Sequence, residues 1–145
     1  MLRNIPKNIS PELMKTLLEM GHGDEIVFAD ANFPAHSVGK RIIHADGDTV
    51  VTLLQSILPF FPLDTFDSQN AFLMQVVPGK GEPPSVWNTY EKLIRNFDAE
   101  KAFLNFTFLE RQAFYERAQR AYSVVATGEK QKYANLILKL GVVES

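Results

Sequence analysis

The sequence contains no cysteine and no long apolar run. Without cysteine the chain forms neither disulfides nor thiolate nucleophiles, which is compatible with a reducing compartment. No apolar stretch approaches the roughly 18 residues that a membrane-spanning helix requires, and the N-terminus has no signal-peptide core. These absences predict a cytoplasmic protein without a membrane partner.

An excess of charge of one sign is also missing. The 145 residues carry 15 lysines and arginines against 17 aspartates and glutamates, which gives a formal net charge of -2. No stretch gathers the basic residues into a stripe that could follow a phosphate backbone, so we expect no nucleic-acid partner. The length and the apolar fraction of 46% together predict one globular domain over residues 1–145.

Several catalytic and cofactor motifs are absent. The sequence has no G-x-x-x-x-G-K-[ST], no G-x-G-x-x-G and no G-x-S-x-G, which are signatures of nucleotide binding and of a serine nucleophile. The three histidines, His22, His36 and His44, do not form an H-x-x-x-H pair, although they could still converge on a metal ion in space. We expect a site without metal or cofactor that uses His, Asp, Arg and Tyr. That inventory suits proton transfer on a polyhydroxylated small molecule.

Apolar periodicity predicts alternating helices and strands. Ser10 and Pro11 have the chemistry of a helix start, because serine caps free N–H groups and proline suits the first turn. Helical spacing predicts helices over 10–20, 49–58, 85–97 and 110–120. Short apolar runs predict strands over 25–29, 41–44, 71–77, 121–126 and 134–138, with a loop over 32–40 and an ambiguous segment over 102–109. This alternation predicts an α/β domain whose sheet is covered by helices.

The stretch 20–34 combines a histidine, a strand and a carboxylate. His22 lies between Gly21 and Gly23, so the backbone can turn sharply and another group can approach the imidazole. Histidine is the side chain best suited to exchanging protons near neutral pH. Asp30 follows the apolar run and begins a proline-containing loop, where functional side chains are common. The pattern indicates a proton-transfer site, and an ordinary loop histidine with a capping aspartate is the alternative.

Five motifs resemble one known family. They are M-G-H-G-D-E at 20–25, A-D-A-N-F-P at 29–34, F-Y-E-R-A-Q at 114–119, T-G-E at 127–129 and Y-A-N-L-I-L-K at 133–139. Together they resemble the fucose mutarotase branch of the fucose mutarotase / D-ribose pyranase (RbsD/FucU) family. The similarity runs nearly end to end and is weakest over 63–108. It implies an RbsD-like α/β fold that assembles into a ring-shaped homo-oligomer, with the site near a subunit boundary.

The resemblance also implies a reaction and a set of residues. The reaction is the interconversion of the α and β anomers of L-fucose, an isomerase activity that needs neither cofactor nor metal. His22 would be the catalytic acid/base. The implied substrate-binding residues are Asp30, Arg111, Tyr133, Ala134 and Asn135. D-ribose pyranase activity and a non-catalytic monosaccharide-binding subunit are the alternatives.

The chemistry of anomers explains why such residues would be enough. Ring opening gives the ring oxygen a proton while O1 loses one, and the open-chain aldehyde then closes on its other carbonyl face. A positioned acid or base contributes about 10²–10⁴-fold, which suffices for a reaction that already proceeds in water. His22 fits the group that acts on the ring oxygen. Asp30 either orients the imidazole or accepts sugar hydroxyls, and the sequence leaves both roles open.

Structural alternatives stand beside these assignments. Arg111 could instead pair with Glu110 or Glu116 on a helix surface. Tyr133 could lie at the edge of the core with its hydroxyl in water, and Asn135 could satisfy a turn. His36 and His44 fit structural or exposed positions better than a ligand-binding one. The residues whose contact with a ligand the sequence leaves open are His36, His44, Tyr115, Glu116 and Arg117.

Overall fold

The computed structural model describes residues 1–144, and helices and strands alternate along that part of the chain. The helices are α1 (Pro11–Glu19), α2 (Ala35–Val38), α3 (Val50–Ile57, followed by a 3-10 turn over Leu58–Phe60), α4 (Val86–Phe97) and α5 (Arg111–Arg120). The strands are β1 (Glu25–Ala29), β2 (Ile42–Ala45), β3 (Ala71–Met74), β4 (Thr107–Leu109), β5 (Ser123–Thr127) and β6 (Leu136–Lys139). The predicted last strand over 134–138 is therefore confirmed as a strand, displaced by one or two residues.

The six strands form one mixed sheet in the order β2-β5-β1-β6-β3-β4. β2, β5 and β1 pair in parallel, and so do β3 and β4, whereas β6 is antiparallel to both β1 and β3. Five strands therefore end at the same edge of the sheet, which we call the carboxyl edge, and β6 begins there. At the opposite edge, the amino edge, β1 begins and β6 ends.

β1 is buried over its whole length because it is paired on both sides and covered on both faces. Its alternating side chains enter two separate cores. Ile26 and Phe28 pack in the cluster that contains Leu53 of α3, whereas Val27 packs with Phe114 of α5. A strand covered on both faces reads as a continuous apolar run. The prediction of an α/β domain with helices on the sheet is confirmed.

Polar side chains at the first turns explain where three helices begin. The Ser10 hydroxyl accepts a backbone N–H of α1 at 3.1 Å, as its sequence position predicted. Thr49 and Thr52 form a reciprocal capping box at the start of α3. The Glu110 carboxylate accepts a backbone N–H of the first turn of α5 at 2.6 Å. The resulting helices are short, and none within residues 1–144 has the length and apolar character to cross a membrane.

Three segments differ from their predictions. The predicted loop over 32–40 contains α2, a single helical turn that buries Ala35. β3 ends at Met74 rather than at 77, because its antiparallel partner β6 begins at Leu136, opposite Leu73. Only Thr107–Leu109 of the ambiguous segment 102–109 is strand, and it pairs along the outer side of β3.

Candidate functional site

A cavity of about 400 Å³ opens at the carboxyl edge of the sheet. Four of the residues predicted to bind a ligand line it, namely Asp30, Arg111, Tyr133 and Asn135. Tyr115 and Lys132 add polar groups, whereas Phe33 and Met74 add apolar wall. Small-molecule sites in α/β sheets typically form outside the carboxyl ends of the strands and have this size. We call this space the carboxyl-edge cavity.

Asp30 follows β1 and is 5% exposed. Its Oδ1 accepts the backbone N–H of Asn32 at 3.0 Å, and its Oδ2 accepts that of Ala134 at 3.4 Å. Its own backbone N–H donates to Oδ1 of Asn135 at 2.7 Å. Burial raises the pKa of the Asp30 carboxyl, and the charge of Glu129 acts in the same direction, against the lowering effect of the backbone N–H groups.

Tyr133, Ala134 and Asn135 enter the site as one short segment before β6. Tyr133 has a φ of +58°, a left-handed conformation that is uncommon for a residue other than glycine. Its hydroxyl accepts the backbone N–H of Val77 at 3.4 Å. Ala134 is fully buried and reaches Asp30 through its N–H. Asn135 does not bind a local turn through this contact but accepts the backbone N–H of Asp30, 105 residues away, and its side chain also lines the cavity.

Arg111 is the first residue of α5, directly after the capping Glu110. Its Nε donates to the hydroxyl of Tyr115 at 3.2 Å, and its guanidinium carbon lies 5.3 Å from the centre of that ring. Among the residues that the structure describes, no ion pair joins Arg111 to Glu110 or Glu116. The structure therefore places Arg111 on the cavity wall with a tyrosine partner.

His22 lies at the amino edge and is not among the residues that line the carboxyl-edge cavity. Its Nε2 hydrogen-bonds to Oδ1 of Asp64 at 2.9 Å, and the Phe66 ring lies 4.7 Å from the imidazole, centre to centre. The Asp64 side chain is 3% exposed, whereas that of His22 is 43% exposed. The neighbouring Gly23 has a φ of +87°, which explains why glycine follows the histidine. We call His22, Asp64 and Phe66 the amino-edge cluster.

The whole length of β1 separates His22 from Asp30. Five strand residues at about 3.3 Å each amount to roughly 16 Å, and each neighbouring strand pairs with four of them. Within one chain, Asp64 rather than Asp30 therefore contacts the imidazole. Neither Asp64 nor Phe66 was predicted from the sequence. Asp64 lies 42 residues from His22 in the segment 63–108, where the family resemblance is weakest.

The remaining candidate residues have other partners. His36 and His44 stack, with their Nε2 atoms 2.8 Å apart, and line a second cavity that shares Asp30 with the first. Arg117 donates two hydrogen bonds to Glu25, at 2.8 and 2.7 Å, and is therefore a fold-stabilising residue. Within residues 1–144, no group of three or more His, Asp or Glu side chains is arranged to hold a metal ion.

The fold and the cavity together define a class, an α/β protein with a polar site for a small ligand at the carboxyl ends of its strands. A model described as the RbsD / FucU transport protein family matches residues 3–143, and the chain belongs to that family. The mouse protein named fucose mutarotase is 46% identical over 149 residues, which cover 99% of this chain and 95% of the relative.

Two solved structures share the fold. The first is described as the fucose mutarotase from Streptococcus pneumoniae in complex with L-fucose. It superposes with a TM-score of 0.92 at 49% identity, covering 99% of this chain and 100% of the other. The second, Bacillus subtilis RbsD complexed with D-ribose, superposes with a TM-score of 0.71 at 21% identity, covering 99% of this chain and 100% of the other. At that identity the second likeness concerns the fold alone.

Proposed function

We propose that this chain is an L-fucose mutarotase, an isomerase that binds the free monosaccharide and interconverts its α and β anomers. Relatives of that name are about half identical over almost the whole chain, and one of them is described in complex with L-fucose. A cavity of about 400 Å³ that mixes charged and aromatic groups suits a pyranose, which has hydroxyls on its rim and apolar faces. We assign this activity to one domain that spans the chain.

The carboxyl-edge cavity supplies the groups that would hold the sugar. Asp30 can accept sugar hydroxyls, and Arg111 can donate to them through charge-assisted hydrogen bonds. Phe33 and Met74 form the apolar wall, which suits the methyl group of a 6-deoxy sugar. The cavity also contains the hydroxyl of Tyr115, so that it offers proton acceptors and donors on several sides.

His22 would supply the proton for the ring oxygen. Asp64 holds its Nε2 by a hydrogen bond of 2.9 Å, so the opposite ring nitrogen, Nδ1, is the one left for substrate. The imidazole is partly exposed rather than enclosed, as a group that acts on a ligand outside its own chain must be. Asp64, rather than Asp30, would then orient the His22 imidazole. Asp30 would have the other of its two roles, accepting hydroxyls of the sugar.

The observation on which this mechanism depends is that His22 and the carboxyl-edge cavity lie at opposite ends of β1. Within one chain, His22 binds Asp64 at the amino edge, whereas the carboxyl-edge cavity has no histidine in its lining. Both halves become one site only when the amino-edge cluster of one subunit meets the carboxyl-edge cavity of a neighbour. Such a head-to-tail contact, repeated, closes a ring when the rotation between neighbouring subunits divides a full turn. The ring-shaped homo-oligomer that the family resemblance implies would satisfy this requirement.

Saturation-transfer NMR on the anomeric protons tests this function. With L-fucose, we expect transfer of saturation between the α and β resonances to become faster on adding the chelator-treated protein. Acceleration of pyranose–furanose exchange in D-ribose alone would assign the chain to the pyranase alternative. Shifted or broadened sugar resonances without transfer would indicate a binding subunit, and either result would contradict the proposal.

Light scattering tests the assembly separately. A ring predicts a mass several times the 16.4 kDa of one chain. A mass equal to that of one chain in an active preparation would contradict a site shared between subunits.

A further inference from the structure

Tyr133 adopts a backbone conformation that its own chemistry does not favour. A φ of +58° places it in the left-handed region, where asparagine and glycine are common and bulky residues are not. Residues in such conformations persist only where the surroundings hold them, and they concentrate at functional sites. The segment of Tyr133, Ala134 and Asn135 is held in this conformation by contacts with α4.

Two side chains of α4 bind consecutive carbonyl groups of the segment. The indole Nε1–H of Trp87 donates to the carbonyl oxygen of Tyr133 at 2.7 Å, and the hydroxyl of Tyr90 donates to that of Ala134 at 2.9 Å. Trp87 and Tyr90 are three residues apart, so they project from one face of the helix. Both carbonyls are thereby held on the α4 side, while the N–H of Ala134 reaches Asp30.

A third contact anchors the segment where it approaches α4. The side-chain oxygen of Gln131 accepts the backbone N–H of Val86 at 3.4 Å, and its Nε2 donates to the hydroxyl of Ser85 at 3.3 Å. Tyr90 is fully buried, and burial raises the pKa of its hydroxyl, with the charges of Glu129 and Asp30 acting in the same direction. The hydroxyl therefore keeps its proton and is a donor at neutral pH.

We propose that Trp87 and Tyr90 are positioning residues of the sugar site. They hold the carbonyls of Tyr133 and Ala134, keep Tyr133 left-handed and thereby direct three groups into the cavity. Those groups are the phenol of Tyr133, the Asp30 carboxylate bound to the Ala134 N–H, and the amide of Asn135. The role assigned to these groups rests on the proposed function, whereas the hold of α4 on the segment does not.

Trp87→Phe and Tyr90→Phe remove one donor each and keep an aromatic ring. The matched control is Phe108→Leu, because the Phe108 ring lies 5.3 Å from the indole, centre to centre, and donates no hydrogen bond. We expect the KM for L-fucose to rise roughly 5- to 50-fold in both donor variants, since a misplaced binding group loses about that much. The pH profile of kcat should stay unchanged, because neither donor contacts His22. In the control, KM should stay within about twofold of wild type.

Amide NMR spectra provide a readout that does not depend on activity. In both donor variants, the resonances of Tyr133, Ala134 and Asp30 should shift beyond those of the control. Wild-type resonance positions together with an unchanged KM in either variant would overturn the proposal. So would a KM increase of equal size in Phe108→Leu, because packing alone would then explain it.

If the buried Tyr90→Phe does not fold, Trp87→Phe decides, since the indole is only partly buried. If wild type fails to exchange anomers, the proposed function fails while the amide shifts still decide whether α4 positions the segment.

Discussion

The two ends of β1 differ in what they expose. At the amino edge, the partly exposed imidazole of His22 hydrogen-bonds to the buried carboxylate of Asp64, beside the exposed ring of Phe66. At the carboxyl edge, a buried carboxylate lies in a cavity with an arginine and two tyrosines. His22 at the first end does not line the carboxyl-edge cavity at the second, and neither do His36 and His44. Under the proposed function, each chain would therefore contribute to two sites and complete neither by itself.

No rearrangement within the chain brings these ends together. β1 pairs with β5 on one side and β6 on the other, and each of its five residues is buried. A central strand with both ladders formed is among the last parts of a fold to open. Its length therefore keeps the imidazole and the cavity of one chain apart, and in the proposed mechanism a contact between subunits would supply the missing proximity.

Replacing the imidazole should have the largest effect. We expect His22→Ala to slow anomer exchange of L-fucose by about 10²–10⁴-fold, the usual contribution of a positioned acid or base. The partly exposed position predicts an unchanged fold and near-normal fucose binding, because the cavity is untouched. Saturation-transfer NMR measures the exchange, and His36→Ala is the control, since His36 does not line that cavity. Exchange that survives in His22→Ala would remove the amino edge from the mechanism.

Replacing the Asp64 carboxylate, which orients the imidazole, should slow anomer exchange less than replacing His22 does. Asp64→Asn keeps the shape but removes the charge that faces Nε2 of His22. We expect a loss of about 10- to 100-fold in kcat, below the effect of removing the acid–base group itself, with the KM for L-fucose little changed. Asp67→Asn is a matched control in the same loop, because Asp67 binds Lys139 rather than the histidine. Equal losses in the two variants would show that the loop, and not the Asp64 contact, matters.

The pH dependence of stability should differ in sign between the two edges. Burial raises the pKa of Asp30, so its folded state favours the protonated carboxyl, and stability is lost as the pH rises through that pKa. The hydrogen bond from Lys139 lowers the pKa of Asp67, so its contribution is present at neutral pH and is lost as the pH falls.

Urea unfolding of Asp30→Asn and Asp67→Asn from pH 3 to pH 7 measures these small effects. Relative to wild type, Asp30→Asn should gain stability as the pH rises. Asp67→Asn should lose stability over the same range, by less than about 1 kcal/mol, because the Asp67 side chain is 45% exposed and solvent screens its charge. Changes of the same sign in both variants would contradict the electrostatic difference between the edges.

The sequence predicted most of the elements, because apolar periodicity and caps such as Ser10 are local signals. It also identified His22 and Asp30 on either side of a predicted strand, but it left open whether Asp30 orients the imidazole or accepts sugar hydroxyls. It did not identify Asp64, which meets His22 only because its backbone N–H binds the carbonyl of Lys139 at the end of β6. Such contacts depend on the assembled sheet. The left-handed conformation of Tyr133 could not be predicted either, because tyrosine does not favour it. The hydrogen bond that holds its carbonyl comes from α4, more than forty residues away.

Mixed oligomers test whether His22 of one subunit and the carboxyl-edge cavity of its neighbour form one site. His22→Ala subunits keep the cavity, and Asp30→Asn subunits keep the histidine. Each variant should be impaired in anomer exchange, because one lacks the acid/base and the other lacks the carboxylate proposed to accept sugar hydroxyls. When the two variants are unfolded, mixed in equal amounts and refolded together, about a quarter of the sites should combine an intact cavity with a neighbour's intact histidine. We expect recovery of about a quarter of the wild-type exchange rate for L-fucose. A mixture that forms the mixed oligomers but stays as inactive as its parents would contradict a site shared between subunits.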